Sequence, residues 1–375
     1  MNTNKHFGFL FVCIRVHSWL ILLMVSAQAQ IGLFANHTDV GTVLQAGSVD
    51  YDAFTRRYTI SGSGENMWFA SDDFQFVWTK MSGDVRLSAT VSILDKEGDA
   101  HRKAVLMIRQ SLDPDAAYAD AALHGDGLTS LQFREEKGAV THELESNVSA
   151  PRRLRIEKRG DSFYLWIGGE AGGFRFAGGS MRVPLHEPFY VGIGVCAHNK
   201  DELRKAVFSD VELTTPSPAG NPAPWSTLET VTVASTDAHV AYAAPGHISP
   251  PGWSADGRSL LFQSGGKLET VPLTGGQPAP YPGTAPPGIA TGSIQLLERA
   301  TSGQRNKTPP VLTMDGKKAA FLTWEDGDSE VTLRVLSLDD QRLTTLCRYT
   351  GGHDDLPSWS PDGLRLAFVS YQLIQ

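Results

Sequence analysis

The sequence predicts an all-β protein: an N-terminal jelly-roll β-sandwich followed by a C-terminal, incomplete β-propeller of about three to four blades. Three observations carry this. From residue 31 onward, strand-like segments alternate with Gly, Asp and Asn turns, and no helical period interrupts them. A turn motif occurs twice almost unchanged, as Trp253-Ser254-Ala255-Asp256-Gly257 and Trp359-Ser360-Pro361-Asp362-Gly363, with a diverged third copy, Leu312-Thr313-Met314-Asp315-Gly316. Between the two regions, residues 215–226 hold Thr215-Pro216-Ser217-Pro218-Ala219-Gly220-Asn221-Pro222-Ala223-Pro224, a semi-rigid, proline-rich linker.

Residues 1–29 read as a secretory signal peptide. Lys5 and Arg15 supply positive charge, Trp19 to Val25 is an apolar core too short to span a bilayer, and Ala27-Gln28-Ala29 is a cleavage site. The mature chain would start near Gln30 and be periplasmic or secreted. No later segment is long and apolar enough for a transmembrane helix. A net charge of −8 leaves no basic footprint for nucleic acid. Cys13 falls in the leader, and Cys196 and Cys347 fall in different domains; they read as buried free thiols rather than a disulfide framework or a zinc site.

The first domain spans residues 30–214. Leu87, Ala89, Val91 and Ile93 alternate, as do Val191, Ile193 and Val195, and Phe163, Leu165 and Ile167. About a dozen strands suit a two-sheet sandwich. Gly125-Asp126-Gly127 is a hairpin loop. Pairing about it sets Tyr118 opposite Arg134, Asp120 opposite Gln132, and Ala122 opposite Ser130. One face then carries Arg109, Tyr118, Asp120, His124, Gln132 and Arg134. It reads either as a solvated outer face or as a surface that hydrogen-bonds sugar hydroxyls, with Tyr118 stacking on a ring. Phe74, Phe76 and Trp78, at period two, read as core, and Trp68 reads as lining a cleft rim.

No nucleophile elbow, H-E-x-x-H or paired-His motif is present. Glu135 and Glu136 are adjacent and point to opposite faces, and Glu143 and Glu145 share a face in a stretch that reads as exposed. Asp95 to Asp99 and Asp326 to Glu330 offer oxygens that suit calcium, but each reads more simply as a solvated hairpin tip. No cofactor or metal is expected. Sequons stand at Asn36, Asn147 and Asn306.

In residues 227–375, each motif sets Asp and Gly in a turn between strands, with Phe262, Phe321 or Phe368 five residues after the Gly. Asp315 and Asp362 are 47 residues apart, close to one blade, whereas Asp256 and Asp315 are 59 apart. The excess lies in Gln277 to Gly292, which has little strand character. The region holds three to four blades at about 40–45 residues each, and closed propellers have about four to eight. Three outcomes follow: an open arc covered by the first domain, a homodimer that closes a ring through exposed strand edges, or a remnant.

The first domain resembles the concanavalin A-like lectin/glucanase superfamily, in the group often fused to bacterial TolB-like proteins. The residues that carry this are Phe34 to Gly41, Trp68-Phe69-Ala70 with Phe76, Met107 to Pro114, and Leu123 to Arg134. It implies a concave sheet that is the usual ligand face; the E-x-D-x-x-E pattern of the superfamily's retaining glycosidases is missing. The second region resembles the TolB-like propellers through the Trp253 and Trp359 motifs, Ala244-Pro245-Gly246-His247, Gly275-Gly276-Gln277-Pro278 and Ala367 to Gln372. Such relatives usually have six blades, so central blades read as missing here. The expectation is a non-catalytic binding protein: glycan recognition by the sandwich through Trp68, Arg109, Tyr118, Asp120, His124, Gln132 and Arg134, and a protein scaffold in the propeller, with a glycan or cell-envelope protein as partner. The alternatives are a polysaccharide-acting hydrolase and a purely structural interaction module.

Overall fold

The computed structural model describes residues 30–374, apart from 95, 170–172, 217–222, 250, 284–305, 325–329 and 351–355. The proposed signal peptide, much of the linker and most of Asp326 to Glu330 therefore lie outside the described residues. The described residues are all-β, and no helix among them is long and apolar enough to cross a membrane.

The sandwich follows from the alternation. One sheet runs Phe174–Arg182, Ser162–Gly168, Arg153–Arg159, Val85–Ile93, Asn199–Thr214, Arg57–Gly64, Ser48–Asp52. The other begins Asn36–Val40, Phe74–Met81, Phe189–Cys196, Lys103–Arg109, Tyr118–His124, Thr129–Arg134, His142–Glu145. Alternate residues of each strand meet between the sheets, where Leu87, Ala89 and Val91 share a core with Leu106, Ile108, Ala119, Ala121 and Ile193. The opposite face of the second sheet, away from this core, carries its own apolar cluster, including Phe74, Phe76, Val105, Met107 and Met67. Phe74 and Phe76 are thus core as expected, but of this second cluster. A Cβ at Gly192 or Gly194 would lie 2.8 or 2.9 Å from ring carbons of Phe76 and Phe74. Only glycine fits there, against these rings and the Val77 and Gln75 carbonyls.

The described residues of the C-terminal half form three blades. The first joins the two ends of the region: Ser358–Trp359, Arg365–Ile374, Ala223–Thr232 and Ala238–Pro245 pair antiparallel in that order. The second is Gly252–Trp253, Ser259–Ser264, Lys267–Pro272 and Ala279–Pro280. In the third, Asn306–Lys307 and Val311–Leu312 both pair with Lys318–Trp324, followed by Glu330–Ser337 and Leu343–Thr350. All three motifs form the same turn. Asp256, Asp315 and Asp362 accept from the Ser254, Thr313 and Ser360 hydroxyls at 2.6, 2.6 and 2.5 Å, and Gly257, Gly316 and Gly363 take φ of 66°, 68° and 67°. The indoles stitch neighbouring blades together. Trp253 Nε1 donates to the Ser358 carbonyl at 2.9 Å, and Trp359 Nε1 to the Val311 carbonyl at 2.8 Å.

Of the three outcomes left open, cover by the first domain is seen at one edge of the arc. Ala238–Pro245 pairs in parallel with His142–Glu145 of the sandwich, Leu144 against Ala238 and Glu145 against His239. The second sheet of the sandwich and the first blade form one continuous sheet of eleven strands. The edge strand thus finds its backbone partners inside the chain. Arg182 also pairs with Glu330 at 3.1 Å, and one apolar cluster runs from Leu144 and Met181 to Leu333, Leu346 and Phe368. Cys196 is buried and Cys347 half-buried, and both are free thiols.

Glu229 lies buried in the first blade, 1% exposed. Its Oε1 accepts from Thr227 Oγ1 at 2.5 Å and Ser370 Oγ at 2.8 Å, while Oε2 has no partner. Burial pushes this carboxyl up to about 7, against the hydrogen bonds from Thr227 and Ser370. A raised folded-state value means the unfolded chain releases the proton first as pH rises. Stability is fully present below the unfolded value near 4.5 and is lost as pH rises to about 7. The expected slope from this group is roughly 1.4 kcal/mol per pH unit in that window. Urea titrations at several pH values should show Glu229→Gln removing that slope; an unchanged slope refutes the assignment.

Candidate functional site

The antiparallel register builds this outer face of the second sheet in rows. Arg109, Tyr118 and Arg134 form one, and Met107, Asp120, Gln132 and Glu143 the next. Val105, Ala122, Ser130 and Glu145 form a third, and Lys103 stands opposite His124. The pairs read from the sequence, Tyr118 with Arg134, Asp120 with Gln132 and Ala122 with Ser130, are those observed.

Half of this face is closed. The short hairpin Met67–Trp68/Ser71–Asp72 folds over it and inserts Asp72 between two guanidiniums. Arg134 Nη1 and Nη2 reach the Asp72 oxygens at 2.9 and 2.8 Å, and Arg109 Nη2 donates at 3.3 Å to Asp72 and 2.6 Å to the Asp113 carbonyl. The Arg134 guanidinium lies 5.0 Å from the centre of the Tyr118 ring, whose hydroxyl meets Thr141 Oγ1 at 3.2 Å. Arg109, Tyr118 and Arg134 are fully buried. The expectation that they face a ligand, with Tyr118 stacking on a sugar, is corrected: they fasten the hairpin to the sheet. Asp120 is buried too, and neither of its oxygens has a partner. Burial pushes its carboxyl well above the ordinary range, outweighing the attraction of Lys103.

The other end is open. A cavity of about 190 Å³ is lined by Trp68, His101, Lys103, His124, Gln132 and Glu143, with Asn66, Leu128 and His198 at its margins. Gln132 Nε2 donates to His124 Nε2 at 3.3 Å, so the His124 proton sits on Nδ1, which has no partner. Gln132 Oε1 is likewise unpartnered. Burial first, then the positive Lys103 and the neighbouring His101 and His198, lower His124 to about 2 and keep it neutral. Lys103 donates to Asn66 Oδ1 at 2.9 Å and the Met67 carbonyl at 3.0 Å, and lies 5.5 Å from the centre of the Trp68 ring. Of the residues predicted from sequence, the structure brings Trp68, His124 and Gln132 together here.

The cavity meets a larger groove of about 630 Å³ between the sandwich and the first blade, shared through Leu128 and Glu143. It is acidic: Asp126, Glu143, Glu145 and Asp237 line it, with His239 and Arg365. The expectation that Glu143 and Glu145 are exposed is corrected, because strand Ala238–Pro245 half-buries them. Burial raises both carboxyls. Hydrogen bonds from Gln132 and Ser130 partly offset this at Glu143, and the neighbouring Glu143, Asp126 and Asp237 add to it at Glu145.

Sequence reasoning missed Lys103, His101 and His198. Lys103 was findable, since it shares the parity of Val105, Met107 and Arg109 and falls opposite His124. His101 and His198 come from loops and carry no periodic signal. Among the described residues no three His, Cys, Asp or Glu side chains are placed to share a metal. Asp99 instead accepts from the His101 amide at 2.7 Å and meets His198 Nδ1 at 3.3 Å. Asp95 and residues 326–329 lie outside the described residues.

No family model and no curated protein matches the chain. Among solved structures it is similar to a functionally unknown protein from Saccharomyces cerevisiae, with 16% identity over 48% of this chain and 96% of that one, TM-score 0.37. It is similar to the carbohydrate binding module CBM66 from Bacillus subtilis, with 17% identity over 48% of this chain and 97% of that one, TM-score 0.31. It is also similar to a putative TolB from Agrobacterium tumefaciens, with 15% identity over 41% of this chain and 99% of that one, TM-score 0.23. At these levels of likeness the site is read from its own geometry.

Proposed function

We propose that the protein is a non-catalytic carbohydrate-binding protein of the periplasm or cell exterior. A sugar residue enters the Trp68 cavity, the rest of the glycan runs along the groove, and the blades serve as a protein-interaction scaffold. One observation carries the reading: an unpartnered donor, His124 Nδ1–H, and an unpartnered acceptor, Gln132 Oε1, lie buried together beside an indole. Buried polar groups without partners are rare in proteins, and each calls for a ligand, a water or a special role. Vicinal hydroxyls supply a donor and an acceptor side by side, while the apolar face of a sugar ring suits the Trp68 ring.

A glycan array on the wild type, followed by calorimetry on Trp68→Ala, tests this. The variant is expected to bind about ten- to a hundredfold more weakly, roughly 1.4–2.7 kcal/mol, with unchanged thermal unfolding. A wild type that binds no glycan sinks the reading.

A hydrolase is the second reading, favoured by Glu143 and Glu145. They share a face in the groove with Cα atoms roughly 6.6 Å apart, and burial raises both carboxyls. Glycosidases hold the two carboxyl groups themselves about 5–9.5 Å apart, a separation that side chains two residues apart on one strand face can reach. Release of reducing ends that Glu145→Gln abolishes would decide for the enzyme.

A further inference from the structure

Lys103 is a buried amine with no ion-pair partner among the described residues; burial lowers it toward its neutral form, against the attraction of nearby acids such as Asp120, Glu143 and Asp72, so a carboxylate brought to it would hold its charge. It is 3% exposed, and its ammonium has three donors. Two go to uncharged oxygens, those of Asn66 and Met67. No carboxylate among the described residues forms an ion pair with it. Asp120, on the adjoining strand, and Glu143, two strands farther along the sheet, make no ion pair with it, and burial pushes both carboxyls up. Asp72 is taken by Arg109 and Arg134, and Asp99 by His198. An unpaired buried charge is strongly unfavourable, and a charge-assisted contact to it is correspondingly strong. The second free donor in the cavity, His124 Nδ1–H, stands on the strand next to Lys103, directly opposite it in register.

We infer that the sugar bound in this cavity is an acidic one, a uronic acid, whose carboxylate sits between the Lys103 ammonium and the His124 Nδ1–H. The inference rests on the carbohydrate reading above and names its ligand class. A carboxylate offers two oxygens for two donors and one negative charge for one positive. A phosphate ester brings nearly two charges, which Asp126 and Asp237 in the groove beyond oppose. The same two acids disfavour a run of uronates. The acidic residue is therefore single or terminal, with neutral sugars following along the groove.

The test is calorimetry on the full chain with three disaccharides: one ending in glucuronic acid, its neutral glucose counterpart, and a counterpart carrying a 6-sulfate. The wild type is expected to bind the uronate at least tenfold more tightly than the other two. Lys103→Met, which fills the same buried volume without charge, is expected to bring the uronate down to the neutral level and leave the neutral sugar within twofold. His124→Leu removes the other donor and carries the same expectation, should Lys103→Met be unstable. Equal wild-type affinity for uronate and neutral sugar, or a preference that survives both substitutions, overturns the inference and leaves the carbohydrate reading standing. Sulfate bound as tightly as uronate overturns the carboxylate assignment. No binding of any of the three overturns the inference, while the glycan array separately decides the broader reading.

Discussion

Asp72→Ala is expected to destabilise the protein by about 3–5 kcal/mol, the range for removing one partner of a buried charge network. The reason is what it leaves behind. Arg109 and Arg134 are both fully buried, and both turn guanidinium donors on Asp72. Without the carboxylate, two positive charges face each other with backbone carbonyls, the Thr141 hydroxyl and the Phe74 and Tyr118 rings for company, none of them an anion. The hairpin Met67–Trp68/Ser71–Asp72 then loses its anchor, and Thr141, whose amide donates to the Phe69 carbonyl at 2.8 Å, loses its protection. Urea unfolding should show a lower midpoint with an unchanged slope, and the Thr141 amide should exchange faster. A loss below about 1 kcal/mol would mean that the charges find other partners and that the hairpin is held by Met67 in the apolar cluster instead. Trp68 is part of this hairpin, so the variant should bind glycan more weakly even at temperatures where it is folded.

The same residues show what the sequence made legible. Tyr118 opposite Arg134 and Asp120 opposite Gln132 could be read because strand alternation and a Gly125-Asp126-Gly127 loop fix register locally. Whether that face is open could not, because its cover comes from Asp72, 62 residues before Arg134, on strand segments of two residues that carry no period. Glu143 and Glu145 read as exposed for a similar reason. Their stretch is polar, and the strand that covers it, Ala238–Pro245, pairs from the other half of the chain. The W-S-x-D-G motifs were legible as turns, since Asp and Gly act within five residues. That their indoles reach the next blade is a long-range fact: Trp359 finds its acceptor 48 residues away. Lys103 was legible in position, by parity, but its missing counter-ion only follows from its depth.

Trp359→Ala is expected to cost about 3–5 kcal/mol, as for other buried tryptophans, and to weaken the whole molecule rather than the blades alone. Trp359 is 9% exposed, packs in the large core beside Phe368 and Leu366, and donates to the Val311 carbonyl of the third blade. Trp359→Phe separates the two contributions. It keeps most of the packing but leaves that carbonyl unpaired, and should cost about 1–3 kcal/mol. The core that Trp359 enters is continuous with the sandwich through Leu144, Met181 and Ala238, and its own blade shares a sheet with the strands of the candidate site. Loosening it therefore exposes surface on which the sandwich also depends. Thermal unfolding followed by tryptophan fluorescence should show one transition, shifted down as a unit in Trp359→Ala, with glycan binding lost in step. A sandwich transition left at its wild-type temperature would mean that the two halves fold independently and that the parallel pairing of Leu144 with Ala238 is too weak to couple them.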